Sequence, residues 1–205
     1  MGARGPQPSL SGERIVAAAV GLLDAGEPVT VRAVAARLGV RPNTIYTYFP
    51  DKVAVEGAVA DRLLELADPG LLLGRRSWRN RIVDYAVSLR AALLSRPAAV
   101  GLFHTAPMNG PAALTVGERL LALLTTAGLP EQDASRAAYA IITYVLGATA
   151  LANADAGTEP DRRARLASVD AAAFPLTART AHVAAEWNGP DQFRWGLTRL
   201  LDALT

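Results

Sequence analysis

Alanine and leucine dominate this chain: 41 and 28 of its 205 residues, against 4 phenylalanines. Both are strong helix formers, whereas strand-rich folds draw on β-branched and aromatic side chains. The composition therefore predicts an all-α protein. Hydrophobic residues make up 51% and charged residues 20%, enough to bury a core and too apolar for disorder. Cysteine is absent, which removes disulfides, thiolate metal sites and cysteine catalysis. The two histidines, His104 and His182, read as packing or surface residues before they read as ligands, so no metal site or cofactor is expected. Arginine outnumbers lysine 20 to 1, with Lys52 the sole lysine, a bias of coding and not of function. A net charge of +2 is too small to imply a polyanionic partner by itself.

The first residues carry Arg4 but no apolar run, so neither a signal peptide nor an anchor is expected. Ala137 to Ala154 is a stretch without a single charge. A membrane span needs about 20 apolar residues, and this stretch contains Tyr139, Thr143, Tyr144, Thr149 and Asn153. It reads as a buried helix of a cytoplasmic protein with no membrane partner.

Turn residues divide the chain. Residues 1–10, rich in Gly and Pro, read as a flexible arm. Ser11 can cap a helix whose apolar face is Ile15, Ala18, Ala19, Leu22 and Leu23, ending at Gly26. Thr30 can cap a short helix, Val31 to Leu38, closed by Gly39. Pro42 opens the next, expected to run on through Asn43 to Phe49, and Asp51 caps a fourth to about Leu66. Further helices are expected at Trp78–Ser95, Pro111–Ala127, Pro130–Ala154, Leu176–Trp187 and Asp191–Leu204, with a short segment at Pro97–His104. Gly157 to Arg165 reads as a mobile linker or short helix.

Val29 to Lys52 is the informative stretch. Two short helices joined by a three-residue turn containing glycine make a helix-turn-helix. Val34, Leu38, Val40, Ile45 and Phe49 are apolar where the helices must meet, and Ala35 is small where they cross. Pro42, Asn43, Thr44, Tyr46, Thr47 and Tyr48 remain outward on the second helix, with no acid among them. Pro28 to Lys52 carries four basic residues (Arg32, Arg37, Arg41, Lys52) and one acid, Asp51. Such a face suits phosphates and base edges.

These residues closely resemble the DNA-binding domain of the tetracycline-repressor (TetR) family of bacterial transcription regulators. The likeness is carried by the first helix, the segment TVRAVAARLGV, the core TIYTYF and the PDK that begins the fourth helix. SWRNRIVDYAVSLRAALL and FRWGLTRLLDAL resemble, more weakly, the start and end of the family's ligand-binding half. The resemblance implies a domain of three helices plus a linking fourth over 11–56, and a ligand-binding and dimerisation domain over 57–205. It implies that Asn43, Thr44 and Thr47 enter the major groove, while Arg32, Tyr48 and Lys52 contact phosphates. Thr30 would cap the second helix and touch the backbone, with Pro42 beside it. Tyr46 matches an aromatic that packs and touches DNA, and a purely core role is its other reading. Arg41 can reach a phosphate or a guanine. Arg37 reads as a solvated charge.

Phe103, with His104 adjacent, and Leu151 align with the histidine and acid that hold a metal chelate in the tetracycline-binding member. The implied effector is therefore a small molecule of another kind, apolar or aromatic. Trp78, Tyr85, Phe103, His104, Met108, Tyr144, Phe174 and Trp187 are its expected lining. The family's dimer implies that the charge-free helix and the last helix pair with their copies, through Tyr139, Ile142, Leu146, Leu197, Leu200, Leu201 and Leu204. The reading is a homodimeric, ligand-responsive regulator, a repressor before an activator, on a near-palindromic double-stranded operator. Its rivals are a helical enzyme and a ligand-blind interaction protein that docks through the helix-turn-helix.

Overall fold

In the computed structural model, residues 9–155 and 157–204 are described. Most of the expected arm, residues 1–8, lies outside them. Among the described residues there is no strand, and the order of helices is α1 (Gly12–Asp24), α2 (Val31–Leu38), α3 (Pro42–Ile45), α4 (Lys52–Leu66), α5 (Trp78–Leu94), α6 (Pro111–Thr126), α7 (Glu131–Ala154), α8 (Glu159–Ala167), α9 (Pro175–Ala184) and α10 (Pro190–Asp202). Short 3-10 segments occupy Pro69–Leu72 and Pro97–His104.

Side-chain caps start the helices where the sequence places them. The oxygens of Ser11, Thr30 and Asp51 accept from the N–H groups of Arg14, Ala33 and Ala54 at 3.3, 3.1 and 2.8 Å. Each satisfies a donor that has no partner inside its helix. The expected face of α1 (Ile15, Ala18, Ala19, Leu22, Leu23) is buried against α2 and α4.

One expectation about the elements is corrected. Regular helix stops at Ile45 and not at Phe49, and tighter turns such as Tyr48 N–H to the Ile45 carbonyl (3.0 Å) carry the chain onward. Pro50 disfavours helical geometry at Phe49, and the run of β-branched and aromatic side chains crowds the preceding turn. Of the two readings of Gly157 to Arg165 the structure takes the short helix, α8, opened by a capping box between Thr158 and Asp161. Arg162 ties it down: Nη1 meets Asp155 Oδ2 at 2.6 Å and Nε donates to the Ala185 carbonyl at 2.8 Å.

The charge-free stretch is the C-terminal three-quarters of α7, which packs against α5, α6 and α10. By length and composition α7 could cross a membrane, but Ala134, Ala137, Ile141, Val145 and Thr149 form a buried stripe facing those neighbours. Leu197 and Leu201 of α10 are fully buried in the same core. They were expected at a dimer face, and the single chain already uses them. A charge at Leu201 would therefore break the fold before it broke any assembly.

α4 runs unbroken across residues 56 and 57, where the domain boundary was expected, and packs on α1, α5 and α6. One side chain fixes it to α6. The Asp61 carboxylate accepts from the backbone N–H groups of Ala112 (3.1 Å) and Ala113 (2.8 Å), capping α6 from another helix. The residue at the cap position itself is Gly110, where an added Cβ would lie 2.4 Å from the Asp61 carboxyl carbon. We expect Asp61→Ala to destabilise the fold by about 0.5–2 kcal/mol, the usual cost of a lost cap, and Asp61→Asn by less. Denaturant melts together with amide exchange at Ala112 and Ala113 check this; unchanged protection there would remove the link.

Candidate nucleic-acid interface

The turn between α2 and α3 depends on Gly39, whose φ is +68°. Val40 N–H bonds the Ala35 carbonyl (3.0 Å) and Gly39 N–H the Ala36 carbonyl (3.1 Å). This pair closes α2 and redirects the chain into α3. Val34, Ala35 and Ile45 are buried beneath, with Leu38, Val40 and Phe49 half-buried around them. The core is thereby spent on holding two short helices at a fixed angle, and their outer residues are left free for a partner.

Thr30, Arg32, Arg41, Pro42, Asn43, Tyr46 and Lys52 line one recess of about 640 Å³ together with Val31. Seven residues expected at a DNA contact therefore share one surface, and its lining contains three cations and no acid. Val31 was missed, because its half-buried side chain reads as core in a helix pattern. Arg32 and Arg41 form no ion pair with a described acid. Lys52 meets Glu56 Oε1 at 3.0 Å, yet its side chain stays 63% exposed. An ammonium has three donors, so Lys52 can hold Glu56 and still donate outward. Tyr46 is 44% exposed, which decides against a purely core role. Arg37 lies over α1, where a Cβ on Gly21 would sit 3.0 Å from Nη2, outside this lining.

Thr47 is exposed and Thr44 half-buried on the adjoining surface. Tyr48 departs from expectation. Its hydroxyl donates to the Leu10 carbonyl at 2.9 Å, so its one hydrogen is not available to a phosphate oxygen. Its role here is to fasten the chain entering α1 onto the end of the helix-turn-helix.

The expected effector residues do not converge. Tyr85 is core, its hydroxyl directed at the Leu64 carbonyl (3.5 Å) and its pKa raised by burial. Trp78 is half-buried beneath the Arg79 guanidinium, 4.2 Å from its ring centroid. Phe103 is buried and its neighbour His104 exposed. Met108 and Phe174 are exposed. Tyr144 and Trp187, two of the eight, line a common cavity of about 100 Å³ with Arg90, Gln192 and Phe193. Arg90 was missed, although it is a lone charge directly beside Leu89 on the buried stripe of α5.

Residues 15–59 match the family described as Bacterial regulatory proteins, tetR family, and residues 70–205 match Tetracyclin repressor-like, C-terminal domain. The HTH-type transcriptional repressor DrrR1 of Streptomyces coeruleorubidus is 30% identical over 98% of this chain and 79% of its own. The tetracycline repressor protein class A of Escherichia coli is 29% identical over 93% of this chain and 88% of its own. A crystal structure of a possible TetR family regulator from Streptomyces coelicolor A3(2) superposes with a TM-score of 0.79 at 29% identity, covering 95% of this chain and 98% of that one. The chain belongs to the TetR family of bacterial transcriptional regulators.

Gly39→Ala should cost about 1–2 kcal/mol, because a Cβ opposes the left-handed backbone. Nothing lies within 4 Å of that Cβ, so the loss is conformational and not steric. A thermal melt measures it, and an unshifted midpoint would contradict the geometry.

Proposed function

We propose that this regulator is a cytoplasmic homodimer that represses transcription by docking paired helix-turn-helix heads on a near-palindromic operator, and that a small molecule held in the C-terminal helices releases it. The observation that carries the reading is the acid-free recess between α2, α3 and α4. Asn43, Thr44, Thr47 and Tyr46 are the base-reading candidates at its edge, and Arg32, Arg41 and Lys52 the phosphate contacts. We assign residues 11–56 to DNA binding and 57–205 to ligand binding and dimerisation, with α4 shared between them.

A dimer is supported by what α7 and α10 leave uncovered. Tyr139 is 78% exposed and Leu151 54%, on a line with Thr143 and Gly147 at helical spacing, and Trp195 of α10 is 60% exposed. Ile142, Leu146, Leu200 and Leu204 are half-buried at the margins. A second copy covering these faces makes a four-helix bundle whose two-fold axis suits a two-fold operator. Successive major grooves on one side of DNA lie about 34–36 Å apart. Altering the spacing of the heads by a few ångströms therefore separates bound from free.

A mobility shift on the promoter of its own or the adjacent gene tests the reading. Arg32→Ala and Arg41→Ala should each reduce the slope of log K against log salt by about 0.9 for each phosphate no longer neutralised, about two units across two heads. Unchanged slopes with unchanged affinity would remove these residues from the interface. Tyr139→Glu should give a folded monomer in sedimentation that no longer shifts the operator; a monomeric parent protein at micromolar concentration would overturn the paired-head mechanism.

A further inference from the structure

The cavity between α5, α7 and α10 has two kinds of wall. Tyr144 and Phe193 stack at 5.6 Å between centroids with an interplanar angle of 29°, and Trp187 stands at the rim, 44% exposed. Gly196 leaves room for this stack, since a Cβ there would lie 2.2 Å from the Tyr144 hydroxyl. Phe193 is itself buried, so the aromatic faces left open to a planar ring are those of half-buried Tyr144 and exposed Trp187. Against them stands Arg90, its guanidinium carbon 5.2 Å from the Phe193 centroid.

Arg90 is under-used by the protein. A guanidinium carries five N–H donors. One, from Nη2, goes to the Asn188 carbonyl at 2.6 Å, while Nε is buried with no acceptor. No described carboxylate forms an ion pair with Arg90. The nearby Asp155 is engaged elsewhere, by Arg162 and by Asn188 Nδ2, both at 2.6 Å. The Tyr144 hydroxyl donates to the Phe193 carbonyl at 3.0 Å. Partial burial lowers the pKa of Arg90 and raises that of Tyr144. A half-buried cation with a spare donor and no counter-ion among the described residues, set beside aromatic side chains, is matched by an anion on a ring.

We infer that the effector is an aromatic anion, a ring bearing a carboxylate or an equally acidic group, whose ring lies against Tyr144 and Trp187 and whose charge is held by Arg90. This rests on the ligand-responsive reading above and sharpens it, replacing an apolar effector by a charged one. Size sets a further limit. Drug-sized ligands occupy sites of about 300–1,000 Å³, and an engineered cavity of about 150 Å³ takes one benzene. At about 100 Å³ this cavity is smaller than that, so it takes only part of a ring, and the rest of the effector must extend past the Trp187 rim toward solvent.

Benzoate and benzamide share shape and differ in charge, and serve as the probes. Binding is followed through the Trp187 indole N–H resonance, assigned by its loss in Trp187→Phe, with the full chain in solution. Benzoate is expected to bind roughly tenfold or more tightly than benzamide, as a charge-assisted pair requires. Arg90→Gln should abolish that preference while Arg90→Lys keeps part of it, and melts of both variants establish that they are folded. Equal binding of the two probes would overturn the anion while leaving a small-molecule site in place. A benzoate preference that survives in folded Arg90→Gln would overturn the assignment to Arg90. Binding of neither probe would overturn the site itself, while operator binding, measured separately, would still stand.

Discussion

Asp61 joins the half of the molecule that reads DNA to the half that does not. Its carboxylate sits on α4, which packs on α1 beside the helix-turn-helix, and accepts from the opening N–H groups of α6. The first N–H groups of a helix have no partner within it. Supplying one from another helix makes the position of α4 and the order of α6 a single variable. Close packing reinforces this link, since Gly57 leaves only enough room for the Pro107 ring, 3.3 Å from where its Cβ would be. Movement of α6 or of the segment before it must therefore be carried into α4, and from α4 into the head.

The same economy governs the head itself. Its second helix has only four residues, too short to be stable alone. It persists because Ile45 is buried and α3 packs on α2, because Gly39 closes α2 at a sharp angle, and because Tyr48 holds the chain ahead of α1. Rigidity comes from the side facing inward, so the outward residues are free of structural duty. That division explains how Arg32 and Arg41 can stand without acidic partners among the described residues, as the proposed phosphate contacts require.

In the C-terminal half the uncovered surface and the cavity lie side by side. Leu151 and Trp187 border the cavity and are among the exposed apolar residues. A molecule at Arg90 would thus sit next to the face proposed for the second copy. Arg90 bonds Asn188, which bonds Asp155, which bonds Arg162 of α8. This chain of polar contacts runs from the cavity to α8 and gives a bound anion several elements to disturb at once.

Local chemistry was legible from the residues alone. Ser11, Thr30 and Asp51 cap helices because a short polar side chain reaches the first free N–H groups in any context, and Gly39 turns the chain because it has no Cβ. The core of the helix-turn-helix and its charged rim were legible for the same reason, as spacing along a short segment fixes which side chains share a face. Tertiary structure decided whatever depended on which faces meet. Leu197 and Leu201 look like partners for another chain until α5 and α7 cover them. Tyr48 looks like a phosphate ligand until the Leu10 carbonyl takes its hydrogen. Arg90 looks like an ordinary helix charge until α7 and α10 close aromatic walls around it, and Asp61 like another until Gly110 brings the start of α6 to its carboxylate. Periodicity states that a residue is on a stripe, but what lies opposite is set by helix packing, which joins residues tens of positions apart.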